Sequence, residues 1–200
     1  MSLPDPKQTL VDYLQGARDA ILWKLDGLSE YDVRRPMTPT GTNLLGLVKH
    51  LASVELGYFG DTFGRPSGID LPWYRDDADH NDDLFATAEE SREWVVDLYR
   101  RAWAHAAETF EANDLDTVGH VAHWGNEPVT LHQILVHVAT ETHHHAGHAD
   151  IIREMVDGSA GFLRGSSNLP DDGYDWPAYV ARVEAAARDA GSIDQNKNVF

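Results

Sequence analysis

The stretch from Thr130 to Gly158 constrains this chain most, because it writes one long helix with both ends marked. Thr130 and Gln133 have capping-box spacing, in which a hydroxyl takes the N–H of the residue three further on. Gly158 is the residue type that most readily takes the left-handed turn ending a helix. Between them Leu131, Ile134, Leu135, Val138, Ile152 and Met155 fall on one side, three or four residues apart where they cluster, the period of a buried helical stripe. Such a helix needs partners to cover that stripe, and the chain supplies three more of the same kind. Leu10, Tyr13, Leu14, Ala17, Ile21, Leu25 and Leu28 predict a helix from Asp5 to about Tyr31. Leu44, Leu47, Leu51, Val54 and Tyr58 predict a second, capped by Thr42 or Asn43 and running to about Phe63. Ala88, Val95, Leu98, Ala102, Ala106 and Phe110 predict a third from about Ala86 to Ala112.

The connections are of two kinds. Residues 64–83 carry Pro66, Gly68, Pro72 and a cluster of aspartates, which breaks both helix and strand periods and reads as a loop covering a pocket. Residues 113–129 are too irregular for a helix but bring His120, His123 and Trp124 close together. Beyond Gly158 the chain reads as loop to Pro177, then a short helix from Trp176 to Ala190, then a polar tail. With no strand pattern longer than a few residues, the expected fold is all-α: a four-helix bundle with a short additional C-terminal helix. One domain is expected over residues 1–190, with 191–200 a disordered tail.

Composition excludes several function classes. Acidic residues outnumber basic ones 33 to 16, for a formal charge of −17, so the field of the protein repels phosphate backbones and anionic membrane surfaces. Nucleic acid and membrane are therefore not expected as partners. No apolar run approaches the ~18 residues that span a bilayer, and the start MSLPDPKQT lacks a leader pattern, so a cytoplasmic location is expected. There is no cysteine. A thiolate metal site is thereby impossible, and any thiol chemistry needs a thiol brought from outside.

The chemistry concentrates on the last long helix. Stepping by 3.6 residues carries its buried stripe through Glu141, His145 and His148, whereas His143 points away. Glu141 and His145 are four apart and stand one turn above each other, so both can hold one ion. His50 adjoins the Leu47, Leu51 and Val54 stripe and can reach the same interior. A carboxylate among leucines costs several kcal/mol unless a cation or strong donors replace its water. His50, Glu141 and His145 are accordingly the candidate metal ligands, leaving open positions as catalytic sites do. His148 is the candidate catalytic residue, as a general base or as a hydrogen-bonding partner of the site. His137 is read equally as a core histidine or an outer partner, and His105, His143 and His144 as solvated surface residues. Asp150, Arg153 and Glu154 are expected to form local surface pairs, and Tyr58 and Trp124 to be packing residues, although a pocket at the mouth of the bundle would use both. Imidazole and carboxylate suit zinc, nickel, iron and manganese, with zinc or nickel expected first.

The segments WGNEPVTLHQILVHVATETHHHAGHADIIRE and NLLGLVKHLASVELGYF resemble the DinB-like superfamily, particularly its actinobacterial branch related to mycothiol-dependent maleylpyruvate isomerase. The resemblance runs from the first helix through Gly158. It implies a four-helix bundle with one histidine ligand on the second helix and two ligands four apart on a later one. Many members use two histidines at the later pair; Glu141 and His145 match the glutamate–histidine form instead. The resemblance further implies a metal-dependent transferase or isomerase using mycothiol or a similar small thiol as cosubstrate, a small-molecule electrophile as substrate, and a possible homodimer. The stretch after Gly158 is too short for the isomerase's separate C-terminal domain, so maleylpyruvate itself is not the expected substrate. A metal-dependent hydrolase using bound water, with His148 or Glu55 as base, is the first alternative. A non-enzymatic binding or stress-response metalloprotein is the second.

Overall fold

The computed structural model of the protein describes residues 3–75, 77–167, 169, 170 and 173–197, with residues 192–197 in backbone only. The chain divides into two compact units, residues 1–167 and 168–200. The first contains α1 (Pro6–Trp23), α2 (Glu30–Arg34), α3 (Leu44–Glu55), α4 (Arg92–Ala112) and α5 (Leu131–Asp157). A two-stranded antiparallel ribbon, β1 (Val118–His120) and β2 (Pro128–Thr130), pairs Gly119 with Val129. The four long helices make the expected bundle, with α1 packed on α5 and α3 packed on both α4 and α5. Two apolar clusters fill it, one around Leu45, Leu51, Leu98 and Ile152, the other around Leu14, Phe59, Phe110 and Leu135.

Local chemistry sets the helix ends. Asp5 accepts from the Gln8 N–H at 3.2 Å, ahead of Pro6. Asn43 Oδ1 accepts from the Gly46 N–H at 2.8 Å, and Ser91 Oγ from the Trp94 N–H at 3.1 Å. Thr130 Oγ1 accepts from the Gln133 N–H at 3.2 Å, and Gly158 closes α5 at φ 77°, as the sequence predicts.

In the first unit three boundaries and three faces differ from the sequence reading. Helix α1 stops at Trp23, not near Tyr31, because the chain turns through Gly27 at φ 75° before Ser29 caps α2. Helix α4 begins at Arg92, not near Ala86. The preceding segment is held as a loop by Arg34, whose guanidinium donates to the carbonyls of Ala86, Thr87 and Glu90, so Ala88 is exposed rather than inward. Helix α3 does not continue as a regular α-helix to Phe63. A π-helical turn at Leu56–Gly60 and a 3₁₀ turn at Asp61–Phe63 replace its end. Tyr13 and Met155 are 66% and 63% exposed. Beside Met155, the buried position is taken by Arg153, which donates to the carbonyls of Lys24 and Asp26 and pairs with Asp157. Asp150 pairs with the buried Lys24 across from α1. These charges thus tie α5 to the end of α1 as well as pairing along the surface of α5.

In the second unit α6 runs Trp176–Lys197, past the Ala190 end expected from sequence, with Asp175 Oδ1 accepting from the Ala178 N–H. Residues 198–200, the end of the expected tail, lie outside the described residues. No helix among the described residues is long and apolar enough to cross a membrane.

Candidate metal centre

Helices α3 and α5 lie against each other, and His50 and Glu141 face one another across their contact. His50 Nε2 lies 3.5 Å from Glu141 Oε1, and His145 Nε2 lies 2.9 Å from the same oxygen. The three residues each present a donor atom within 4.8 Å of the others. Donors placed 2.0–2.2 Å from one ion stand roughly 2.9–3.5 Å apart, so the donor set fits a divalent cation. Two neutral imidazoles and one carboxylate would leave such an ion a net +1 charge and room for further ligands.

The outer contacts order the ligands. His50 Nδ1 donates to Asp83 Oδ2 at 2.7 Å, which directs Nε2 toward Glu141. Asp83 is placed by a clamp on α3. Asn43 Nδ2 donates to the Leu84 carbonyl at 3.0 Å, and Lys49 Nζ to those of Asp82 and Phe85 at 2.8 and 3.0 Å. Gly46 makes this approach possible, since an added Cβ would overlap the Leu84 carbonyl. His148 Nδ1 lies 3.3 Å from His145 Nδ1, so it partners a ligand from behind and is not among the residues lining the cavity.

Without metal, the three groups are mutually polarised. Burial alone would push His50 down, but Asp83 and then Glu141 hold it above the ordinary imidazole value. Burial pushes Glu141 up, yet His145 and His50 outweigh it and hold the carboxyl below its ordinary value. Burial, then the charge of His50, pushes His145 down. The Glu141 side chain is 31% exposed. It is therefore not enclosed by hydrocarbon as its place on the stripe suggested: the buried line on α5 passes through Thr142, Ala146 and Ala149, and Glu141 and His145 flank it.

The fully enclosed carboxylate is Glu55, and it is no candidate base. Arg18 Nε and Nη2 donate to its two oxygens at 2.9 and 2.5 Å. Burial pushes its carboxyl up, against the opposing pull of Arg18.

A cavity of about 710 Å³ opens beside the cluster, with His50 and Glu141 on its wall. Its size falls in the range of small-molecule sites. The loop expected to cover a pocket does so through Tyr74, while Trp73 beside it is buried and donates to Ser53 Oγ at 2.9 Å. The π-helical turn brings Tyr58 onto the wall. There its ring meets those of His137 and Trp124 at 4.8 and 5.4 Å, and its hydroxyl lies 3.0 Å from His123 Nε2. His137 is thus a wall residue, held below the ordinary imidazole value by burial. His105, expected to be solvated, is half-buried and donates to the Arg65 carbonyl at 2.7 Å. His143 faces away, bonded to the Ala139 carbonyl and stacked on Phe162. Sequence reasoning missed Asp83, whose only signal was its place in an aspartate-rich loop; of the two residues given packing as their first role and a pocket at the bundle mouth as their second, Tyr58 lines the cavity and Trp124 packs against it.

The fold and this cluster define a helical bundle with a histidine–glutamate–histidine site able to bind a metal. The profile of the mycothiol S-transferase family matches residues 9–158, and the chain belongs to that family. Among curated proteins no match to the chain is found.

Proposed function

We propose that this protein is a metal-dependent S-transferase that joins the sulfur of a small thiol, mycothiol by its family, to an electrophile seated in the cavity. The observation that carries this reading is the convergence of His50 Nε2 and His145 Nε2 on Glu141 Oε1 at the cavity wall. A divalent ion held by those atoms would supply the positive charge that keeps a thiol ionised near neutral pH.

The chain's own residues do the rest. Asp83 accepts the Nδ1 proton of His50 and so leaves Nε2 free as a donor, the usual outer support of a histidine ligand. His148 does the same for His145, a positioning role in place of direct proton transfer to substrate. Tyr58, Val54 and Val121 form an apolar side that limits water around the sulfur. Because the chain has no cysteine, the nucleophilic sulfur has to arrive with the cosubstrate.

Two measurements test the proposal together. Metal analysis should find about one divalent ion per chain in the wild type and little in Glu141→Ala or His145→Ala. Thioether formation from mycothiol and a chlorodinitroaromatic should require that ion. Full metal occupancy in both variants would remove the ligand assignment. Turnover of an ester or amide without thiol would replace the transferase with a hydrolase.

A further inference from the structure

The cavity wall combines two features. One side is aromatic: Tyr58 and His137 touch ring to ring with centroids 4.8 Å apart, Tyr74 adds a further ring to the lining, and Trp124 packs against both Tyr58 and His137 without itself lining the cavity. The other carries carboxylates, Glu141 in the cluster and Asp61 at the exposed rim, and among the described residues no lysine or arginine lines the cavity. A carboxylate or phosphate entering it would meet no permanent cation on the chain. Nor would a loaded centre provide one, since Glu141 and a thiolate together match the charge of a divalent ion. Asp61 then remains uncompensated, inside a protein of formal charge −17.

Resting on the transferase reading above, the geometry points to an uncharged, flat aromatic electrophile as the second substrate. Tyr58, Tyr74 and His137 select it, and Asp61 turns anions away. Aromatic faces suit such a ring, each good contact adding to plain apolar burial. For a chloro-substituted ring the step balances without an oxidant or reductant: the thiolate sulfur bonds to the carbon carrying chlorine, the C–Cl bond breaks, and chloride leaves with the bonding pair.

The test uses matched pairs that differ in charge. The unreactive probes 3,5-dinitrobenzamide and 3,5-dinitrobenzoate are titrated calorimetrically into the metal-loaded protein saturated with mycothiol at pH 8, where an ordinary imidazole is neutral. The amide should bind about tenfold tighter or more, the scale of one unscreened charge at partly exposed distances. Asp61→Asn should narrow the gap by strengthening the benzoate alone, and Tyr58→Leu or Tyr74→Leu should weaken the amide several-fold. Equal binding of the two probes, or tighter benzoate, overturns the inference. The 4-chloro derivatives are then turned over with thiol. Selective binding of the amide without thioether formation would sink the transferase reading while leaving the selectivity of the cavity intact. Thioether formation at equal rates from both chloro compounds would do the reverse.

Discussion

Glu55 and Glu141 are the same residue type on two helices that pack together, and they meet opposite surroundings. Glu55 is fully buried and receives two hydrogen bonds from a permanent cation, Arg18. Glu141 is partly exposed and has only imidazoles for partners, at 2.9 and 3.5 Å. The first carboxylate is complete and holds α1 to α3. The second is met by imidazoles, which can give up a proton and act as metal donors themselves, so its charge is available to a further cation. Deep burial of a carboxylate is therefore no sign of function in itself; the nature of the partner decides.

The largest effect expected from breaking this contrast is on stability. Arg18→Met leaves Glu55 buried and alone, and should cost about 3–5 kcal/mol in chemical denaturation, with Arg18→Met/Glu55→Leu recovering much of it. A loss near zero would show that the pair is not structural. Glu141→Ala should behave in the opposite sense. Stability of the chelated protein should change by less than about 1 kcal/mol, while metal affinity falls by more than the roughly 100-fold upper end of an outer-partner effect; isothermal titration reads both zinc and nickel. Asp83→Ala should then lower metal affinity about 10–100-fold. Gly46→Ala should act in the same direction by displacing the Leu84 backbone, and unchanged affinity in both would detach the loop from the site.

The smallest effect is a pH dependence. In chelated protein the carboxyl of Glu141 is held below its ordinary value of 4.5. Its stabilising contribution is fully present above that value and lost as pH falls through the lowered folded one. The difference between wild type and Glu141→Gln should vanish in that acid window. For Glu55 the sign reverses: its carboxyl is raised above 4.5, so ionisation begins to weigh against folding as pH rises past that point. Matching profiles for the two glutamates would erase the distinction.

The bundle and most of the candidate site were legible because their signals are local. The ends of α5 depend on Thr130, Gln133 and Gly158, all within a turn of the boundary. Glu141 and His145 share a face by spacing alone. What was not legible depends on contacts between distant segments. Leu25 and Leu28 continue the helical period of α1, yet Gly27 turns the chain between them. The residues before α4 could have been helical, but Arg34 claims their carbonyls. Asp83 is one aspartate among several in its loop, and it is selected only by where Asn43, Gly46 and Lys49 fix the backbone. Arg153 took a place assigned to Met155 because its stem packs while its head satisfies carbonyls at the end of α1.

The π-helical turn at Leu56–Gly60 has one more consequence. Such a turn amounts to one residue more than a regular helix would hold, so everything beyond it is rotated by about 100° from an uninterrupted α-helix. Shortening the turn by a residue that does not line the cavity would leave the composition of the wall intact and still swing the Asp61 carboxylate to another bearing. What enters the cavity is thus governed partly by a count of peptide units, and relatives with the same side chains but a different count would accept different molecules.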